Sequence, residues 1–155
     1  MSASRRLDNE FSMTIPQQLD ENRITQDRIR AAGLRPTRQR VALARLLFEP
    51  GARHLTAEVL HSEAGSAGVG VSLATVYNTL HQFVSVGLLL EITVQPGRSY
   101  FDTNVADHHH FFHGARAELE DIESVAVDLS SLPEPPAGIE IERIDVVIRL
   151  RDRKS

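Results

Sequence analysis

Four histidines fall within six positions, His108, His109, His110 and His113, in a chain of 155 residues that holds seven histidines and no cysteine. Imidazole binds borderline transition metals and haem iron at neutral pH, and it changes charge near a pH of about 6.5. The run reads DHHHFFH, with Asp107 ahead of it and Phe111 and Phe112 inside it. Side chains alternate along an extended strand, so His108 and His110 share one face and His109 points to the other. Imidazoles two positions apart, about 7 Å along the strand, can share one ion. With no cysteine there is neither a thiolate zinc site nor a disulfide framework. The run lies between strand-like segments, not at a terminus as an affinity tag would.

The positioning elements follow from pattern. Hydrophobic content of 41% and charged content of 25% are those of a water-soluble globular protein. No apolar run reaches the roughly 18 residues of a membrane helix, and MSASRRLDNEFSM has no apolar core of a secretory signal. A cytoplasmic protein with no membrane partner is expected. The net charge of −4 hides an asymmetry. Residues 23–53 carry eight arginines against Asp27 and Glu49, a net of +6, whereas residues 87–155 carry seven basic and thirteen acidic side chains, a net of −6. A basic first part suits a polyanion and an acidic second part suits cations.

Residues 1–22 show weak periodicity and read as a flexible arm. Ile24–Ala32 reads as a short helix ended by Gly33. TRQRVALARLLF forms a second, with Val41, Ala44, Leu47 and Phe48 inward, stopped by Pro50–Gly51. Thr56 caps a third helix that ends at Gly65, and Ser72 caps a fourth that ends at Gly87. Leu73, Val76, Leu80, Phe83 and Val84 form the fourth helix's apolar stripe. Thr75, Asn78, His81 and Gln82 oppose it, with Tyr77 at the edge. That polar face carries no Lys, Arg, Asp or Glu, which suits hydrogen bonding to base edges. Leu88–Val94 and Ser99–Asp102 then form a hairpin whose turn, Gln95–Arg98, puts Arg98 at its tip near phosphate. Three helices and a hairpin are the order of a winged helix. Beyond it, His109–His113 and Glu118–Ile122 read as strands, 124–132 as a short helix, 133–138 as a spacer and Ile139–Leu150 as a strand. A unit of about 50 residues is small to stand alone, so pairing with a second copy is expected. The glycines of 65–70 lack the lysine and hydroxyl of a phosphate loop and read as a connection. No Ser-His-Asp or HExxH spacing appears, so the sequence points away from an enzyme.

GLRPTRQR (33–40), HLTAEVL (54–60), LATVYNTL (73–80) and FDTNVADHHH (101–110) together resemble the ferric uptake regulator family. The HHHFF run and the ending PEPPAGIEIERIDVVIRLR resemble its iron response regulator branch. The zinc-binding cysteine pairs of many relatives, which would fall near His113 and Arg116, are missing. The resemblance implies an α+β fold: a winged helix DNA-binding domain (23–102) behind the arm (1–22), then a small α/β dimerisation and ligand-sensing domain (103–155). It implies a homodimer that represses or activates iron and haem homeostasis genes at a palindromic double-stranded DNA operator.

The resemblance also implies residue roles. Tyr77 takes the position that packs against thymine methyls, Arg35 a basic position that contacts DNA, and Asn78 a position where many relatives have arginine. Thr75 and Arg40 are phosphate-contact candidates. His54, Asp102, His108 and His110 match the sensor site for a divalent metal such as manganese, iron or zinc. His108, His109 and His110, with Asp121 or Glu123 downstream, are expected to hold haem or a second metal. Some members bind haem through an N-terminal Cys-Pro motif; here haem would need histidine. His61, His81 and His113 read as surface.

Overall fold

The computed structural model describes residues 15–122 and 128–154. Helix α1 spans Ile15–Ala31, α2 Arg38–Phe48, α3 Ala57–Ser66 and α4 Leu73–Ser85. Strand β1 is His54–Leu55, β2 Leu90–Gln95, β3 Arg98–Asp102, β4 His109–His113, β5 Glu118–Ile122 and β6 Val147–Leu150. Two three-stranded sheets result, ordered β1-β3-β2 and β5-β4-β6. The fold is α+β, with a winged helix in its first part.

Hydroxyl side chains start three of the helices. Thr37, Thr56 and Ser72 accept the backbone N–H of Arg40, Val59 and Thr75, each relieving one unpaired donor of a helix's first turn. Gly87, at φ +76°, ends α4. The Leu88 N–H reaches the Phe83 carbonyl at 2.8 Å and the Gly87 N–H the Val84 carbonyl at 3.0 Å, a paired closure that needs this left-handed residue.

The helices enclose one core of Ile29, Leu43, Ala44, Leu47, Leu60, Val76, Leu80 and Phe83, all fully buried. A second core lies between the sheets, where Ile92, Val94 and Tyr100 of the hairpin pack on Phe112 of β4. Polar contacts reinforce that junction. The Tyr100 hydroxyl donates to the Ala117 carbonyl at 2.5 Å, and Arg149 of β6 donates to the Val94 carbonyl.

Several boundaries differ from the sequence reading. Helix α1 begins at Ile15, so residues 15–22 of the expected arm are helical; its Ile15, Leu19 and Ile24 are exposed, which explains the weak periodicity. Helix α3 runs one residue past Gly65, to Ser66. Strand β2 starts at Leu90 because the α4 closure consumes Leu88, and Arg98 opens β3 instead of sitting in the turn. On α4, Thr79 is buried while Leu73 and Val84 are half-buried; on α2, Leu43 joins the core and Phe48 is half-buried. Strand β1 has no sequence signal, since a two-residue strand is defined by its partner β3. Of the strand expected over 139–150, only Val147–Leu150 is paired, in parallel with β4. Of the helix expected over 124–132, a 3-10 turn stands at Leu129–Ser131, and 123–127 lie outside the described residues.

Candidate metal centre

Two cross-strand pairs build the site. In the antiparallel β1–β3 ladder His54 stands opposite Asp102, and in the β4–β5 ladder His110 stands opposite Asp121. Residues directly opposite in a ladder share a face, so each pair offers an imidazole and a carboxylate side by side. His108, two positions before His110, adds a third imidazole. One ligand atom from each of His54, Asp102, His108, His110 and Asp121 lies within 4.8 Å of all the others. With metal–ligand bonds of about 2.0–2.2 Å, adjacent ligands on one ion stand about 3 Å apart and opposed ones about 4 Å, so the cluster has the span of a single coordination sphere.

The hydrogen bonds expose a shortage of protons. His108 Nδ1 lies 2.6 Å from the Ala106 carbonyl, an acceptor that fixes the proton on that nitrogen. Its Nε2 faces Asp102 Oδ2 at 2.8 Å, and His110 Nε2 faces the same oxygen at 3.0 Å. His54 Nε2 lies 3.1 Å from Asp102 Oδ2 and 2.7 Å from Asp121 Oδ1, yet it is a buried nitrogen with no aligned hydrogen-bond partner among the described residues. Lone pairs facing carboxylate oxygens repel unless a proton or a cation lies between them. Neutral imidazoles with two ionised carboxylates leave a formal charge of −2, which one divalent cation cancels.

Titration follows the same logic. Burial disfavours the Asp102 carboxylate, but the nearby His110 and His54 imidazoles and the Asn104 N–H outweigh it and hold the group well below its ordinary value. Burial disfavours the charged form of His54 as well, but Asp102 and Asp121 more than compensate and raise it. His108 is raised against its own burial by the Ala106 carbonyl, Asp102 and Asp121. The donor set is imidazole and carboxylate without thiolate, which fits zinc, iron and manganese.

The sequence groups Asp121 with His108, His109 and His110 in a second site; the structure keeps it beside His108 and His110, adds His54 and Asp102, and leaves His109 out. The parity of the β4–β5 hairpin decides this, because His109 stands opposite Ile122. That parity was the available signal. His109 faces away from the cluster, so His108, His109 and His110 do not form one group. Its Nδ1 accepts the Val146 N–H at 3.3 Å, and it lines a cavity of about 460 Å³ with Asp107, Leu132, Ile141, Arg143 and Ile144. Glu123 lies outside the described residues. His113 is tied to Glu120 at 2.8 Å and to Arg116 at 2.7 Å, near where the missing cysteines would fall. His61 Nε2 lies 3.1 Å from the Val71 carbonyl, and His81 is exposed.

The groove-reading candidates lie on the helical part. Asn78 and Arg35 are exposed, and Thr75 is half-buried with its hydroxyl 2.9 Å from Ser72 Oγ. Tyr77 is half-buried and donates its hydroxyl to Glu58 Oε1 at 2.7 Å. Arg40 is not a free phosphate ligand here. Its guanidinium donates to Gln82 Oε1 at 3.1 and 2.8 Å and to the Arg35 carbonyl at 2.8 Å.

Fold and site together define a class: a winged helix whose hairpin shares a histidine and aspartate cluster with a second sheet. Comparison narrows it. The Ferric uptake regulator family matches residues 31–144, and the chain belongs to that family. Among its relatives, the ferric uptake regulation protein of Shigella flexneri is 35% identical over 81 residues, 52% of this chain and 55% of that protein. That of Pseudomonas aeruginosa is 36% identical over 81 residues, 52% and 60%. The matches therefore span somewhat more than half of those relatives. A Pseudomonas aeruginosa ferric uptake regulator solved with manganese superposes with a TM-score of 0.66 at 26% identity, covering 84% of this chain and 99% of that one. The Vibrio cholerae regulator, at 20% identity and a TM-score of 0.67, shares the fold.

Proposed function

We propose that this chain is a sequence-specific DNA-binding transcriptional regulator of iron and haem homeostasis genes, with affinity for its operator set by a divalent cation. The carrying observation is that the five donors come from both sheets, His54 and Asp102 from the first, His110 and Asp121 from the second, and His108 from the residue just ahead of β4. A bound divalent cation supplies the positive charge that the carboxylates otherwise draw from imidazolium protons. The residues do the rest. Asp102, at the end of the hairpin, and His110, two residues before Phe112, fix how the second sheet meets the wing. In a dimer that geometry sets the spacing of two α4 helices, and half-sites are read only in register with the DNA turn.

The division at 23–102 and 103–155 is part of this reading, with the second unit pairing two copies. Ile139 and Ile141 are 62% and 49% exposed there, apolar surface that suits a partner chain. A palindromic operator follows from such a dimer. No helix among the described residues is long and apolar enough to cross a membrane, in keeping with work on DNA in the cytoplasm.

Haem is a second reading, and it belongs to His109. His110 is 2% exposed and turned inward; His108, 8% exposed, borders the same cavity as His109 but has both ring nitrogens engaged, by the Ala106 carbonyl and Asp102. His109 borders the cavity with apolar Leu132, Ile141 and Ile144 and with Arg143, and an axial bond from its Nε2 requires the ring proton to move to Nδ1 at the expense of the Val146 N–H contact. This keeps the iron response regulator branch as the finer assignment.

A mobility-shift titration of genomic fragments with and without Mn(II) tests the main reading. Wild-type protein should change affinity on adding the ion and revert with chelator, while His54→Ala and Asp102→Ala should not respond. A wild-type protein indifferent to Mn(II), Fe(II) and Zn(II) would overturn it. For haem, a Soret shift should survive His108→Ala and disappear in His109→Ala.

A further inference from the structure

The Tyr77–Glu58 hydrogen bond joins α4 to the first turn of α3, nineteen residues earlier. The tyrosine is thereby held at both ends, by its backbone on α4 and by its hydroxyl on α3. Its ring also leans on His81, with centroids 6.1 Å apart. The acceptor is a carboxylate on the very face that the proposed function turns toward a polyanion. A negative charge there opposes phosphate and lowers affinity for every sequence. Arg98 at the start of β3 and the α3 N-terminus offset only part of that cost. The Tyr77 hydroxyl is the largest of the influences that draw Glu58 below its ordinary value, ahead of its own backbone N–H, Thr56 and Arg98, and the bond raises Tyr77 in return. Capping α3 does not require the tyrosine, because Thr56 already accepts the Val59 N–H. The carboxylate also meets its own backbone N–H and the Thr56 side chain, but the tyrosine is its strongest partner.

We propose that Glu58 is a specificity-positioning residue: its carboxylate holds the Tyr77 ring in one orientation before DNA arrives, so that the ring reads a thymine methyl with little rotamer entropy left to lose. The inference rests on α4 being the groove-reading helix. Apolar contact with the C5-methyl separates thymine from uracil, which differ by that methyl alone. A ring free to swing would still touch DNA, but would weigh the methyl less, since ordering it would consume part of the gain. Glu58 thus trades general affinity for discrimination.

The test uses full-length protein with Mn(II) and the duplex it selects from a random library, each thymine replaced in turn by uracil. Wild type should lose about fivefold or more in affinity at one thymine of each half-site. Glu58→Ala and Tyr77→Phe each break the hydrogen bond and should shrink that thymine-to-uracil ratio toward one. Glu58→Gln keeps an acceptor and removes the charge; it should keep the ratio while binding all duplexes more tightly. If Glu58→Ala and Tyr77→Phe keep the wild-type ratio while Tyr77→Ala loses it, Glu58 does not position the ring and the proposal is overturned. If Tyr77→Ala also keeps the ratio, α4 is not reading that base and the underlying assignment fails first. Circular dichroism of each variant separates either result from misfolding.

Discussion

The core under α2–α4 and the core under the wing are built differently. The first is closed by one continuous run of chain, with Leu43, Leu47, Leu60, Val76, Leu80 and Phe83 all fully buried. The second has a buried set of Ile92, Val94, Tyr100 and Phe112, three of them from the wing and only Phe112 from the second sheet. Apolar burial therefore makes the reading unit rigid on its own account and joins it to the second sheet by a thin seam. Along that seam the polar groups carry much of the decision. In the proposed function, a cation held by His54, Asp102, His110 and Asp121 would move a junction that a large core would lock.

Truncation sharpens the contrast. Phe83→Ala should cost about 3–5 kcal/mol and lower the melting temperature of the whole molecule, because the helical core cannot collapse around the loss. Phe112→Ala should cost less, about 3 kcal/mol. Its effect should be local: hydrogen exchange should quicken in β2, β3 and β4 while the amides of α2 and α4 stay protected. Equal loss of protection in both regions would show that the two cores are one.

The next largest effect is pH-dependent and has opposite signs on the two sides of the site. The lowered Asp102 contributes stability that is present above about pH 3.9 and is lost as pH falls through its folded value. The raised His54 and His108 contribute stability that is full below about pH 6.5 and is lost as pH rises through their folded values. Chelated protein should therefore melt highest between about pH 4 and 6.5 and lower at pH 8. Mn(II) should recover the alkaline side, because a cation replaces the departing protons. Asp102→Asn should flatten the alkaline slope of the chelated protein. A melting temperature that rises steadily from pH 6 to 8 without metal would contradict the carboxylate–imidazole coupling.

Much of this was legible in residues because the determinants are local. Thr37, Thr56 and Ser72 announce helix starts by hydroxyl chemistry, and the alternation of His108, His109 and His110 sorts the imidazoles by face. What the sequence hides is pairing. His54 is a sensor candidate by resemblance alone until β3 pairs with β1 and sets it opposite Asp102. Asp121 can be assigned only once the β4–β5 register sets its parity. Exposed apolar residues conceal the first turns of α1, since a helix lying on the surface with a narrow buried stripe shows little period. Arg40 reads as a phosphate-contact candidate because its partner, Gln82, is forty-two positions away.

That last pair gives the smallest effect, and it separates bracing from contact. If Arg40 acts by tying α4 to the start of α2, Gln82→Ala should weaken DNA binding about as much as Arg40→Ala, by about 0.5–1.5 kcal/mol. The double variant should add little to either, because both remove the same bond. Neither change should alter the number of released counterions, so the salt dependence should keep its slope. A phosphate contact predicts otherwise: Arg40→Ala alone would weaken binding, and the slope would fall by about one. The two side chains are partly exposed, which keeps the cost low in either case. The slope, more than the affinity, decides between them.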